Sequence, residues 1–383
     1  MNRVYLILFA LIFSVVGCKQ GNKSKESAFT QIENSFSPDF EKKAVKSVMA
    51  KTAFWQTKQQ LRKKNNDWTN GALYAGMVEW AKIADDTYYF DWLKGIGEQN
   101  NWDRIKRKKV YYHADDFCVG QMYTELFRKY KDSAMIKPMV AHLDSILANP
   151  SSVSLDFEKT SDDHYQNRWS WCDALFMAPT VWTKLYKETG KKEYLEFMYK
   201  EFKATTDFLY DQKEDLYYRD SNFFSKKEKN GKNVFWGRGN GWVFGGLAVI
   251  LSELPADYEH RAYFVDIYKK MAKKIASLQS EEGYWRASML DPESYPNPEM
   301  SCTGFFTYGL AWGINNGLLE KDKYGPSVRK GWKTMVKSVW PDGKLGWIQP
   351  VGASPQSVTA EMTDVYGVGA FLLAGTEIYK MSK

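Results

Sequence analysis

The chain has 383 residues, 44% of them hydrophobic and 16% aromatic, which suffices for two average domains or one large single-core barrel and argues against global disorder. Its net charge of +7 comes from scattered lysines without a basic stripe, so nucleic acid is excluded as a partner, while a modest positive balance suits an anionic ligand.

Arg3 followed by the apolar run from Val4 to Val16, interrupted by Ser14, reads as a targeting segment too short to span a bilayer as a stable helix. It ends Ser14-Val15-Val16-Gly17-Cys18, and a small residue before Cys resembles a bacterial lipobox. The expectation is a signal peptide over 1–17 and a lipidated Cys18 that anchors the chain to a membrane, periplasm-facing or at the cell surface. The alternative is a plain secretory signal cleaved near a Cys. Residues 18–37 are rich in Lys, Ser and Asn and read as a polar tether. No Pro/Gly/Ser linker divides 38–383, which is expected to be one domain.

From residue 38 on, apolar residues recur at helical spacing. Polar or aromatic clusters punctuate these helices near Trp68, His113, Trp169, Phe235, Ser301 and Glu361, at separations of 45 to 66 residues. That length fits two helices and two loops at about 1.5 Å rise per residue. Six such units predict an all-α (α/α)6 barrel of six helical hairpins, with each cluster at the N-terminal end of an inner helix. All six clusters then meet at one mouth, where helix N-termini favour anions. An open helical solenoid is the alternative. Strands are scarce; Leu216-Tyr217-Tyr218 and Gly283-Tyr284-Trp285 are candidates for small hairpins.

Taken in chain order, Trp68 opens the first cluster and is a candidate pocket residue. The second runs His113-Ala114-Asp115-Asp116 and continues to Gly120. At least one of its two carboxylates is expected to be a helix cap, and His113 is placed to hold Asp115. His164 lies in a polar loop ahead of the third cluster, where it either contacts substrate or is solvated. The third cluster sets Asp173 between Trp171-Cys172 and Ala174-Leu175-Phe176-Met177. A carboxyl buried there has its anion destabilised, so its pKa rises and it can act as an acid. Arg219 follows Leu216-Tyr217-Tyr218 and can pair with Asp220 or Asp215 or bind an anionic ligand. The fourth cluster, Phe235-Trp236-Gly237-Arg238-Gly239-Asn240-Gly241-Trp242, combines flat Trp faces with a guanidinium fork that matches a carboxylate. Trp236, Arg238 and Trp242 are therefore expected to line a site for an acidic sugar. The histidines His113, His142, His164 and His260 show no metal-ligand spacing, and Cys118, Cys172 and Cys302 form no C-x-x-C pair, so no metal is expected.

The Trp236-to-Trp242 string, with Asp173-Ala174-Leu175-Phe176-Met177-Ala178-Pro179 upstream and residues 303–315 downstream, resembles glycoside hydrolase family 105, with family 88 as a neighbour. The resemblance spans most of 45–380. It implies an (α/α)6 hydrolase acting on an oligosaccharide left by an upstream polysaccharide lyase, with a 4,5-unsaturated uronic acid at the non-reducing end. It implies vinyl-ether hydration with no cofactor, Asp173 as acid/base, Asp115 orienting water or substrate, and Trp236, Arg238 and Trp242 at the uronate subsite. Family members acting on unsaturated rhamnogalacturonan often carry His where this chain has Arg219. That departure shifts the expected substrate toward a uronate linked to rhamnose, possibly 3-sulfated, as in ulvan fragments, with pectin fragments as the alternative. Two other readings of the residues stay open: an inverting glycosidase using both Asp residues on intact chains, and a non-catalytic glycan-binding lipoprotein.

Overall fold

The structure is a computed structural model and describes residues 29, 31–59, 61, 64–107, 110–157 and 168–383. Cys18, the signal peptide and His164 lie outside the described residues. Among the described residues the architecture is the (α/α)6 barrel. The inner ring is α2 (Trp68–Ala81), α4 (Gly120–Tyr130), α6 (Ala174–Met177) continued by α7 (Pro179–Thr189), α9 (Gly237–Glu253), α11 (Met300–Asn315) and α13 (Val365–Met381). The outer ring is α1 (Lys42–Thr57), α3 (Tyr88–Gln99), α5 (Lys137–Ala148), α8 (Lys192–Leu209), α10 (Arg261–Ser277) and α12 (Lys321–Val336). Helix α2 packs on α4, α4 on α7, α7 on α9, α9 on α11, α11 on α13, and α13 returns to α2. The ring is closed, which excludes the solenoid.

Residue pattern explains which helix goes where. In α10 the buried positions Phe264, Ile267, Tyr268, Met271, Ala272 and Ile275 form one stripe, the mark of a helix with one face in water. In α9, α11 and α13 burial runs around the whole helix. Small residues let inner backbones touch: a Cβ on Gly76 would lie 2.2 Å from the Gly369 carbonyl oxygen, so α2 and α13 could not approach as they do with larger side chains.

Two expectations need correction. The segment expected to be a tether up to residue 37 is tied to the barrel well before that. Phe29 is buried against Tyr284 and Trp347, and the Asn34 amide donates to the Val336 and Val339 carbonyls at 3.1 and 2.7 Å. The tether was read from polarity alone, and polarity does not reveal an asparagine whose amide caps the end of α12. The hairpin expectation holds for β1 (Tyr210–Asp211) and β2 (Leu216–Tyr217), an antiparallel pair. Gly283 and Tyr284 instead lie within a turn closed by Ser280 N–H donating to the Tyr284 carbonyl at 3.0 Å, with Gly283 at φ +101°.

The C-terminal ends of the inner helices form the floor, around a cavity of about 250 Å³. Lys184 bridges Glu125 and Glu253 there, and Arg128 bonds Glu125 at 2.7 Å and Glu253 at 2.8 and 3.0 Å. Burial works against the charged form of Glu253, but Lys184 and Arg128 overcome it and hold its pKa at about 2. Glu125 is likewise buried, and Lys184, Lys82 and Arg128 hold it well below the ordinary range.

Candidate active site

Helix N-termini bring the clusters to one mouth. Asp173 immediately precedes α6, whose run is broken from α7 by Pro179. Asp115 sits in the 3-10 turn Ala114–Phe117 ahead of α4. The Asp173 charge acts on Asp115. Burial raises the Asp173 pKa against the pull of Arg219 and Arg238, in the direction its apolar neighbours predict. The Cys172 thiol donates to Asp173 Oδ2 at 3.5 Å. Burial pushes Asp115 up to about 8 against Arg107, with Asp116 and Asp173 adding to the rise.

The structure separates the neighbouring acids. Arg107 Nε donates to both oxygens of Asp116, at 2.9 and 3.1 Å, and Arg104 lies 3.9 Å away. Asp116 is thus a buried anchor for the 104–107 segment, while Asp115 lies within range of the Asp173 charge. His113 Nδ1 accepts from the Asp115 backbone N–H at 3.2 Å and stands 3.8 Å from the carboxylate. It therefore holds Asp115 through the main chain, and its ring is kept in place edge-on to Trp171 at 5.1 Å.

Arg219 comes off the end of the β1–β2 hairpin, and its carbonyl accepts from the Cys172 N–H at 2.8 Å, which binds the hairpin to the Asp173 turn. Its Nη1 donates to Asp220 at 2.6 Å and its Nε lies 3.7 Å from Asp173 Oδ2. Of the two partners expected, Asp220 is the one used, since Asp215 accepts from Tyr210 OH at 2.8 Å. Arg219 therefore belongs to the mouth. Its side chain remains 22% exposed, with Nε enclosed and without a hydrogen-bond partner.

The fourth cluster departs most from expectation. Trp242 is fully buried, packed on Phe305 at 4.5 Å and Phe176 at 5.0 Å, so it supports the pocket from behind and offers a ligand no face. Trp236 is 2% exposed, and its Nε1 donates to Gln349 Oε1 at 3.1 Å. The Arg238 fork, expected to meet a carboxylate, is also buried. Its Nη1 donates to the Gln349 carbonyl at 2.5 Å and to Tyr366 OH at 3.1 Å, and Nη2 to the Pro350 carbonyl at 2.9 Å. Trp68 does line the mouth: it is half-buried, stacked on Tyr366 at 5.7 Å and edge-on to Trp242 at 6.1 Å.

Three residues around the site were not singled out from the sequence: Glu299, Gln349 and Tyr366, all joined to one another or to Arg238 by hydrogen bonds. Glu299 caps α11 by accepting from the Ser301 and Cys302 N–H groups at 3.1 and 2.9 Å, and it also accepts the Gln349 N–H at 3.0 Å. A Glu just ahead of an apolar helix was the available signal. Among the described residues Glu196, Glu259 and His260 stand close enough to share a cation, but they lie on the outer wall, on α8 and ahead of α10, and not at the mouth.

The mouth thus holds Asp173 and Asp115 with raised pKa, the partly exposed Arg219 and an aromatic wall, the parts needed for acid/base work on an anionic saccharide, while Asp116, raised to about 6, stays tied to Arg107. Comparison with known proteins agrees. Residues 40–382 match the family model described as Glycosyl Hydrolase Family 88. The chain is 40% identical over 324 residues to an Alteromonas sp. (strain LOR) protein named unsaturated 3S-rhamnoglycuronyl hydrolase, covering 82% of this chain and 78% of that one. A protein of the same name from Formosa agariphila is 38% identical over 348 residues, covering 88% and 91%. A solved structure described as glycosyl hydrolase family 88 from Bacteroides vulgatus superposes with a TM-score of 0.79 at 32% identity, covering 89% of this chain and 99% of that one. The chain belongs to Glycosyl Hydrolase Family 88 and is a glycoside hydrolase.

Proposed function

We propose that this enzyme removes a 4,5-unsaturated uronic acid from the non-reducing end of lyase-generated oligosaccharides, with 3-sulfated rhamnose next in the chain, as in ulvan fragments. The observation that carries the reading is the convergence of Asp173, Asp115 and Arg219 at the barrel mouth. The names of the two curated relatives support the same substrate class. Within the wider grouping we assign the chain to family 105, on the Trp236-to-Trp242 string and the Asp-Ala-Leu-Phe-Met helix start.

The chemistry follows from the parts. Protonated Asp173 delivers its proton to C4 of the vinyl ether, and positive charge develops at C5 and the ring oxygen. Water attacks C5 and gives its proton to the Asp173 carboxylate, which restores the acid. The resulting hemiketal opens to a ketone at C5, and the hemiacetal left at C1 expels the next sugar. Asp115, neutral below about pH 8, donates a hydrogen bond that orients the water or a ring hydroxyl. Arg219 supplies the positive charge for the uronate carboxylate or the sulfate.

Loss of the ultraviolet absorbance of the conjugated C4=C5 bond tests the reading, with sulfated and desulfated unsaturated disaccharides compared side by side. Faster turnover of the sulfated compound is expected, and Arg219→Lys should narrow the preference by about 10-fold through loss of a charge-assisted bond. Equal rates, or turnover of pectin-derived disaccharide alone, would move the substrate assignment to unsaturated rhamnogalacturonan. We further propose lipid anchoring through Cys18. Cys18→Ser should move the protein from the membrane to the soluble fraction, and an unchanged membrane fraction would rule the anchor out.

A further inference from the structure

Arg238 is a buried cation whose surroundings are those of a strut. Its guanidinium lies between two aromatic faces, 4.4 Å from the Trp236 ring and 4.7 Å from the Tyr366 ring. It is 1% exposed and ion-pairs with no carboxylate among the described residues. Instead it reaches more than a hundred positions along the chain to the carbonyls of Gln349 and Pro350. Gln349 is bonded at every polar atom. Its N–H goes to Glu299, its carbonyl accepts from Arg238 and Tyr366 OH, its Oε1 accepts from Trp236 and its Nε2 donates to the Ser354 carbonyl. The loop between α12 and α13 is therefore latched to the starts of α9, α11 and α13 through this one residue. Ile348 N–H, donating to the Met362 carbonyl at 3.0 Å, closes the loop on itself beside the latch.

We infer that Arg238 is a positioning residue: it pins the 348–362 loop through Gln349 and fixes a positive charge behind Asp173, and it does not receive the substrate carboxylate. Nη1 is spent on a carbonyl and a hydroxyl and Nη2 holds a second carbonyl, while the unpaired Nε is enclosed and turned to no solvent. A loop carbonyl is a strong acceptor for a cation in a site of low dielectric, so the latch is rigid. Arg238 also lowers the Asp173 pKa, the expected effect of a fixed charge on the acid. The inference rests on the uronate reading only where turnover is measured.

Two measurements test it. The first needs no substrate. Hydrogen exchange of the folded Arg238→Met and Gln349→Leu proteins should show lost protection at the Ile348, Gln349 and Met362 amides, with α2 and α4 unchanged. Arg238→Lys, which keeps the charge but cannot span both carbonyls, should lose protection in the same loop if Met proves too disruptive to fold. Intact loop protection in folded Arg238 variants would overturn the strut. The second compares the unsaturated disaccharide with its uronate methyl ester. Misplacement by the freed loop should lower kcat by about 100-fold in Arg238→Met. The same factor is expected for acid and ester, with KM little changed and the alkaline limb of the kcat profile moved to higher pH. A penalty that appears in KM and disappears on the ester would show direct carboxylate binding and overturn the proposal. If wild-type protein turns over neither compound, the uronate reading fails while the exchange result still decides the strut.

Discussion

The two ends of the barrel treat buried carboxyls in opposite ways. At the floor Glu125 and Glu253 are held as anions by Lys184, Arg128 and, for Glu125, Lys82. At the mouth Asp173 and Asp115 are somewhat less enclosed, but the cations near them are fewer or already committed, and burial wins. Arg219 is shared with Asp220, Arg107 is taken by Asp116, and Arg238 is spent on carbonyls. One end thus stabilises the closed ring, and the other keeps protons available for transfer.

The largest effect should come from the mouth. Asp173→Asn is expected to keep the fold and lower kcat by about 100- to 10,000-fold, the worth of a general acid–base group. Full activity in that variant would end the acid assignment. At the floor, Lys184→Met should leave kcat intact at low temperature and cost about 3 kcal/mol in urea unfolding, because Glu125 and Glu253 lose a buried partner. A large drop in kcat with unchanged stability would show that the two ends are coupled and not separate in purpose.

The smaller effects lie in pH dependence, and their signs are opposite at the two ends. Glu253, with its folded pKa depressed to about 2, contributes stability that is present above its unfolded value of 4.5 and fades as pH falls toward 2. Lys184→Met should flatten that acid limb. Asp115 has its folded pKa raised from 3.8 to about 8, so the folded state binds its proton more tightly. The corresponding stability is present below 3.8 and is lost as pH rises through 8. Asp115→Asn should therefore match wild type near pH 3 and melt higher than wild type at pH 8, while losing activity. A lower melting temperature at pH 8 would show that Asp115 is held as an anion. Wild-type kcat/KM should decline above about pH 8 as Asp115 ionises.

Much of this was legible along the chain. Each of the six clusters falls at or just before an inner helix, because the residues that start helices, Asp at 67, 173 and 364 and Glu at 299, precede long apolar runs. The raised pKa of Asp173 was legible too, since its neighbours in sequence are also its neighbours in space. Arg238 and Trp242 were misread because their surroundings come from elsewhere. A Trp and an Arg among glycines look alike in sequence whether they face a ligand or Phe305, Gln349 and Tyr366. The floor left no local trace, because Lys184 lies 59 and 69 positions from the two glutamates it joins.

The sequence by itself determined the repeat of apolar helices, their start signals and the acid at residue 173, all of which depend on interactions within a few residues. Closure of the ring decided the rest. Only when α13 meets α2 do loops hundreds of residues apart face each other, and only then does a guanidinium become a strut at 238 and a partly buried cation beside an acid at 219. Burial and partner geometry set what a charged group does, and both belong to the assembled barrel.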